Sequence, residues 1–436
     1  MMRFFTSALF SLLTLAAFSQ KPVFQGTKVK AADFQALTTQ FYAFEVFQLD
    51  VNALDQFVKS AGNVAEFTLQ FGSEHNWDIW LTPHDVRSPK YQVRVQTDKG
   101  VETLPGKPEI ISFRGLLASP GGEGVSLTID EDFLYGFVEK GDEDYFIEPL
   151  WYFVPGQPKD RFVVYAASQV KPSGGTCALI ERDKNQPSKA PEHDKEIIPN
   201  GTAKVGQCYQ LDLAIASDKL MFNKYGSVTA VENHNIGVIA NVQANYDNEF
   251  ADEIYIYITE QFVVTGTDPW TNSTDAGVLL NSFTNWAPNG FNNDHDMGEL
   301  WTNRDLNGGV VGIAWLSSVC TPDQYHVVQD WTSNGQLLRE MTAHEMGHNW
   351  SATHDPAGSP HIMAPVVQNS DTWSAQSISQ INSYIANVAA PPNGCLGFCP
   401  TSQPPVADFS VTPSVGCSPL TVTYNDESAN APSSWE

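Results

Sequence analysis

The chain has 436 residues and carries a net charge of −26, from 50 acidic and 24 basic side chains. Its length accommodates two or three domains, and so acidic a surface repels nucleic-acid phosphate and anionic lipid, which excludes both as partners. The hydrophobic fraction of 42% is that of an ordinary globular protein with a sizeable core.

Residues 1–19 read as a signal peptide. Arg3 supplies the positive start, Phe4 to Phe18 is an apolar run too short to span a bilayer, and Ala17 and Ser19 are small residues placed for cleavage before Gln20. No later stretch is long and apolar enough to cross a membrane, so the expectation is a secreted protein. Six cysteines (Cys177, Cys208, Cys320, Cys395, Cys399 and Cys417) fit that compartment, and spacing alone leaves fifteen pairings open.

Residues 20–182 are β-rich. The alternating runs Tyr91–Val95 and Val125–Ile129 fit half-buried strands between glycine and acidic turns. Residues 183–205, with Pro187, Pro191 and Pro199 and many charges, read as a linker, and Arg182, Lys184, Lys189 and Lys195 are candidate cut sites for an activating protease. Cys177 lies just before this linker. Two readings stand side by side: a thiolate that occupies a metal position, or a disulfide with Cys208.

The segment 206–399 alternates strands and helices. Tyr209–Asp218, Ile254–Ile258 and Gly309–Leu316 read as strands, Asn235–Phe250 and Leu279–Trp286 as helices. A further helix is expected to start near Asn334 or Gly335, with Leu337, Leu338 and Met341 facing the core. On it lie His344 and His348, four residues apart and therefore on one face. Two imidazoles so placed can take two corners of a zinc tetrahedron, with Glu345 beside the metal as general base. His354 follows after a chain reversal and supplies a third ligand. Three protein ligands leave a fourth position for water, the arrangement of a catalytic site.

Several motifs extend this pattern. They are His344-Glu345-x-Gly347-His348-Asn349 running to His354-Asp355, Gly312-Ile313-Ala314-Trp315 ahead of Cys320, His295-Asp296, His361-Ile362-Met363-Ala364-Pro365, and Trp373-Ser374 with Ile378, Ile381 and Tyr384. Together they resemble the reprolysin (adamalysin) group of metzincin zinc proteases, over about residues 206–396. Phe113-Arg114-Gly115, Gly136 and Tyr145-Phe146-Ile147-Glu148-Pro149-Leu150 resemble that group's propeptide, so 20–182 is expected to be an inhibitory propeptide. The implied fold class is α/β, a metzincin sandwich of mixed twisted sheet and helices after a β-rich prodomain. The implied activity is zinc-dependent endoproteolysis of protein or peptide substrates, which pair with the 309–316 strand as an added strand.

The resemblance also implies that Met363 forms the Met-turn beneath the zinc, that Cys320 pairs with Cys395, that Cys177 acts as a cysteine switch, and that Asp212 and Asp296 share a calcium ion. The family's further oxygen ligand for that ion is absent, Phe398 standing at its place. Ser351 replaces the family glycine between the second and third histidines, where a non-glycine residue costs about 1 kcal/mol if φ stays positive. That departure motivates an alternative, a non-catalytic secreted binding or adhesion protein on the same fold. Residues 400–436 shift to Pro, Ser and Thr, and Val406–Ser410 with Gly416–Tyr424 resemble the start of a PKD-type β-sandwich, too short here to close.

Overall fold

A computed structural model describes residues 21–30, 34–106, 109–119, 122–180, 207–247, 249–390, 394–399, 409–412 and 422–426. The expected signal peptide and linker lie outside the described residues, as does most of the stretch after Cys399. Phe409–Thr412 and Thr423–Asp426, within that last stretch, pair as an antiparallel hairpin.

Alternating apolar residues build a barrel in the N-terminal part. The strands are β1 (Val23–Lys28), β2 (Glu45–Gln48), β3 (Ala65–Phe71) and β4 (His75–Pro83). The chain then leaves the barrel as a hairpin, β5 (Arg87–Thr97) and β6 (Gly100–Leu104), and returns in β7 (Ser112–Leu117), β8 (Gly124–Asp130), β9 (Phe133–Lys140), β10 (Glu143–Pro149) and β11 (Arg161–Ala166). The closed order is β1-β2-β11-β10-β9-β8-β7-β4-β3. On β4, Trp77, Ile79 and Leu81 point inward while their neighbours face out, the period-two signature of a strand. Helices α1 (Gln35–Gln40), α2 (Val51–Ser60) and α3 (Leu150–Phe153) lie between strands, and α2 seats Val51, Leu54 and Val58 in the barrel core. Each such side chain contributes about 1.5–3 kcal/mol by leaving water.

The remaining strands are β12 (Thr176–Ile180), β13 (Cys208–Ser217), β14 (Glu253–Val264), β15 (Met297–Thr302), β16 (Val310–Trp315), β17 (Tyr325–Gln329) and β18 (Gly397–Phe398). They form a second, mixed sheet in the order β12-β16-β17-β15-β13-β14-β5-β6, with β18 against the start of β13. Both its outer positions are filled from the N-terminal part: β12 lies parallel on β16, and β5 lies parallel on β14. The half-buried run Tyr91–Val95 is thus a strand as expected, but of this sheet and not of the barrel.

Helices α4 (Lys219–Tyr225), α5 (Val228–Tyr246), α6 (Ala276–Gly290), α7 (Gly335–Asn349) and α8 (Ala375–Tyr384) complete the described fold. Helices α5 and α7 share one core with Tyr135, Phe137 and Phe146 of the barrel, and α6 packs with Ala214, Phe262, Leu300 and Val327 of the sheet. Helix α5 starts seven residues before the position its apolar spacing suggested. Ser227 caps it by accepting from the Ala230 amide, and Glu232, Asn233 and His234 are buried. A helix enclosed by a barrel and a second helix has no solvent face, so its polar residues do not mark one.

Among the described residues two disulfides form, Cys208–Cys399 and Cys320–Cys395. The second is the pair the resemblance implied. The first overturns the Cys177–Cys208 alternative: Cys208 at the head of β13 lies against Cys399, just after β18, whereas Cys177 is held on β12 and remains a thiol.

Candidate active site

Helix α7 starts at Asn334, whose side chain accepts from the Leu337 amide, an Asx N-cap. Its fifteen residues are all buried, so His344, Glu345 and His348 are carried into the interior. The helix ends at Trp350, and Ser351 turns the chain with φ +82°. The left-handed turn thus survives with serine in it, and the Ser351 hydroxyl accepts a hydrogen bond of 2.9 Å from Ser317. This reversal returns His354 to the other two histidines, with its Nε2 3.2 Å from that of His348.

The ring orientations are set from behind. His344 Nδ1 lies 2.7 Å from the Ile362 carbonyl and His348 Nδ1 2.7 Å from the Ala352 carbonyl, so these nitrogens carry the protons and the Nε2 lone pairs face one another. Burial pushes His344 down to about 3, and burial with the neighbouring imidazoles holds His348 well below its usual value. Burial also lowers His354, against the opposing pull of Asp355. All three are therefore held neutral, the ligand form.

Cys177 completes the cluster. Its Sγ lies 3.4 Å from His348 Nε2, and the ligand atoms of Cys177, His344, His348 and His354 all fall within 4.8 Å of one another. The donor set fits a zinc ion. Bonds of about 2.0–2.1 Å in a tetrahedron set ligand nitrogens ~3.4 Å apart. Facing lone pairs at 3.2 Å repel without a cation between them, and His344 Nε2 is buried with no protein partner.

The segment that brings Cys177 here is clamped on both sides. On one side β12 pairs with β16; on the other the Cys177 amide donates to Pro365 O at 3.3 Å and the Val367 amide to Gly175 O at 2.9 Å. Gly175 permits the approach, because a Cβ there would lie 2.7 Å from Val311. The Glu345 carboxyl is fully buried in the same place. Burial pushes its pKa well up, and the Cys177 thiol draws it back in part; burial and the Glu345 charge together raise Cys177.

Met363 packs beneath the cluster. A Cβ on Gly347 would lie 2.7 Å from its sulfur, and Asp355 holds the turn by donating its amide to Met363 O and accepting from the Ser374 hydroxyl. Gly312 of β16 plays the same part above: a Cβ there would stand 2.2 Å from Glu345 Oε1. Both glycines stand within the sequence motifs, and a glycine in a strand or helix interior is itself a signal of close approach. Asn349, in the same motif, has a positioning role that helical spacing does not signal. Its amide donates to Trp315 O and to the Ser318 hydroxyl, and its oxygen meets His326, which pairs with Glu299. It therefore ties the end of α7 to the end of β16.

Asp212 and Asp296 are also brought together. The Asp212 amide donates to Asp296 Oδ2 at 2.9 Å and the Asp296 amide to Asp212 O at 2.8 Å. Phe398 lies tilted against the Tyr209 ring and offers no side-chain oxygen. A calcium ion takes six to eight oxygens, which two carboxylates alone do not compose. Among the described residues no helix is long and apolar enough to cross a membrane.

Comparison with known proteins agrees with this geometry. The reprolysin-type model of metallo-peptidase family M12 matches residues 208–394. The snake venom metalloproteinase atroxlysin-1 of Bothrops atrox is 30% identical over 173 residues, which is 36% of this chain and 82% of the venom protein.

Proposed function

The chain belongs to the reprolysin-type metzincins of metallopeptidase family M12, and on that premise we propose that it is a secreted zinc endopeptidase made as a zymogen. One observation carries the reading: three neutral imidazoles and one thiol, drawn from α7, the turn after it and β12, converge within 4.8 Å. His344, His348 and His354 would hold the metal, with Cys177 as a fourth donor while the N-terminal part is attached. A zinc ion there supplies Lewis acidity at a peptide carbonyl and lowers the pKa of water.

The protein's own groups do the rest. Strand β16 aligns an extended substrate by main-chain hydrogen bonds once β12 has left it. Glu345 takes a proton from the attacking water and passes it to the leaving amine nitrogen. Met363 fixes the floor by packing on Gly347. The Ser351 backbone keeps the turn that His354 requires, which weakens the case for a non-catalytic binding protein.

The test is zinc content with cleavage of an unfolded protein, before and after limited proteolysis of the 183–205 linker, with and without a chelator. One zinc per chain and chelator-sensitive cleavage that rises after the cut are expected. E345A should keep its zinc and lose activity by about 10²–10⁴-fold, the range of general acid–base contributions. Full activity in E345A overturns the assignment of the base, and bound zinc without cleavage in any state overturns the enzyme.

A further inference from the structure

The hairpin β5–β6 reaches 28 residues away from the barrel path, between Pro83 and Ser112, only to pair with β14. Once it is gone, β14 is the outer strand of the sheet. It is twelve residues long, Glu253-Ile-Tyr-Ile-Tyr-Ile-Thr-Glu-Gln-Phe-Val-Val264, with no lysine or proline, and eleven of those residues are buried. Soluble proteins protect exposed edges with charges, prolines or bulges; this edge has no lysine or proline, and its irregularity between Ile258 and Glu260 and its inward-facing Glu260 are both accommodated in the pairing with β5. It is built to be covered by another strand.

Its occupant is held by more than main chain. Glu260 on β14 is fully buried and faces β5. Its Oε2 accepts from the amides of Asn292 and Asn293 at 2.8 and 2.9 Å, which fixes the carboxylate whether or not the hairpin is present. Oε2 also takes Gln92 at 2.9 Å, and Oε1 receives Arg94 at 3.0 Å. The Arg94 guanidinium lies 5.5 Å over the Phe262 ring and donates to Gly290 O at 2.7 Å. Carboxylate, ring and carbonyl thus surround one guanidinium, and all three belong to the segment matched to the protease family. On the opposite face Val93 and Val95 are buried, and the Tyr91 hydroxyl donates to Glu232.

We propose that the β14 edge and the socket around Glu260 form a second peptide-binding site, outside the catalytic cleft. It takes an extended segment of a protein substrate with arginine at the position of Arg94, running parallel to β14. This rests on the reading that the N-terminal part separates from the protease; in the intact chain its hairpin fills the site. Main-chain pairing supplies affinity, and alternate side chains supply selection. When an occupant strand covers Glu260 as β5 does, leaving the amide-oriented carboxylate without a cation is costly, so arginine is selected over apolar residues at that position.

The experiment uses the full chain with residues 88–106 replaced by a short Gly-Ser bridge between the neighbouring strands β4 and β7. A fluorescent peptide with the sequence of residues 89–97 is titrated against it with chelator present, so that neither zinc nor cleavage contributes. Saturable binding is expected, weakened at least about tenfold (~1.4 kcal/mol) by R94A in the peptide and by E260Q in the protein. Equal binding of the R94A peptide overturns the socket. Absence of binding to a chain that still unfolds cooperatively overturns the site, as does edge-to-edge dimerisation with no peptide uptake. A shortened chain that does not fold hands the decision to R94A in the intact chain. There the Thr265 amide, which donates to Gln96 O of β5, should exchange at least about tenfold faster, and unchanged exchange overturns the proposal. A non-proteolytic protein that binds the peptide would separate this result from failure of the protease reading.

Discussion

The main-chain nitrogen of Gly335, first residue of the helix that carries His344 and Glu345, donates at 2.8 Å to the Glu148 carboxyl of the barrel. A Cβ on Gly335 would meet the Tyr135 hydroxyl at 2.5 Å, so only glycine lets the barrel approach the helix this closely. The Tyr165 hydroxyl donates to the same Glu148 oxygen. Four residues along the helix, Arg339 pairs with Asp144 at 3.0 Å and lies over Phe137 and Phe146. The barrel thus grips the active-site helix from its N-terminal end.

That grip is pH-dependent. Burial raises Glu148 from 4.5 to about 8, offset in part by Tyr165 and Gly335. A carboxyl raised on folding supports the folded, docked arrangement fully below about pH 4.5, and that support is lost as the pH climbs towards 8. The thermal midpoint of the intact chain should therefore fall across pH 5–8 more steeply than that of E148Q, which has no proton to lose. Each pKa unit corresponds to about 1.4 kcal/mol. Parallel curves for the two proteins would remove Glu148 from this role.

C177S should release activity without a cut. Serine keeps the size of the side chain and loses the soft donor 3.4 Å from His348. Uncut C177S is expected to cleave an unfolded protein at least about ten times faster than the uncut wild type, a difference of ~1.4 kcal/mol. Equal latency would mean that the β12 clamp blocks the cleft by itself.

G347A tests the packing beneath the cluster. The added methyl would sit 2.7 Å from Met363 Sδ and 3.0 Å from the Trp373 ring. Overpacking of this kind costs about 1–3 kcal/mol. M363A should cost less in the G347A background than alone, because the truncated side chain makes room for the methyl. Strict additivity in chemical denaturation would show that the two side chains do not meet.

At Ser351 two effects oppose each other. Glycine relieves about 1 kcal/mol of left-handed strain but loses the hydrogen bond from Ser317, itself about 1 kcal/mol. S351G should leave zinc content unchanged and shift stability by less than about 1 kcal/mol. S351A keeps the strain without the bond and should destabilise by about 1 kcal/mol. A large gain in S351G would show the bond to be of little consequence.

The site was legible where chemistry is local. His344, Glu345 and His348 announce themselves by helical spacing, and Met363 and the Cys320–Cys395 pair came with the resemblance. The onset of α7 lies where it was expected, near Asn334, and the structure adds that the Asn334 side chain caps it. Contacts between distant segments were less so. Glu232 and Glu260 look like surface acids in the sequence, yet they are buried because Tyr91 and Arg94 of a remote hairpin reach them. For the same reason β14 extends well past Ile258: its polar run Thr259-Glu260-Gln261 is covered by a strand from the N-terminal part. Cysteine pairing likewise depends on which ends the sheet brings together, and β18 brings Cys399 to Cys208.

That last bond gives the protease segment the topology of a closed ring. Its first strand and its last are fastened at one point, with Cα atoms 5.4 Å apart across 191 residues of chain. Whatever is joined before Cys208 and whatever is joined after Cys399 leave from neighbouring positions. Under the proposed activation, a cut before Cys208 would sever the covalent tie on one side and leave the other intact. The two ends of the segment thus stay fastened to each other whatever is attached to either of them.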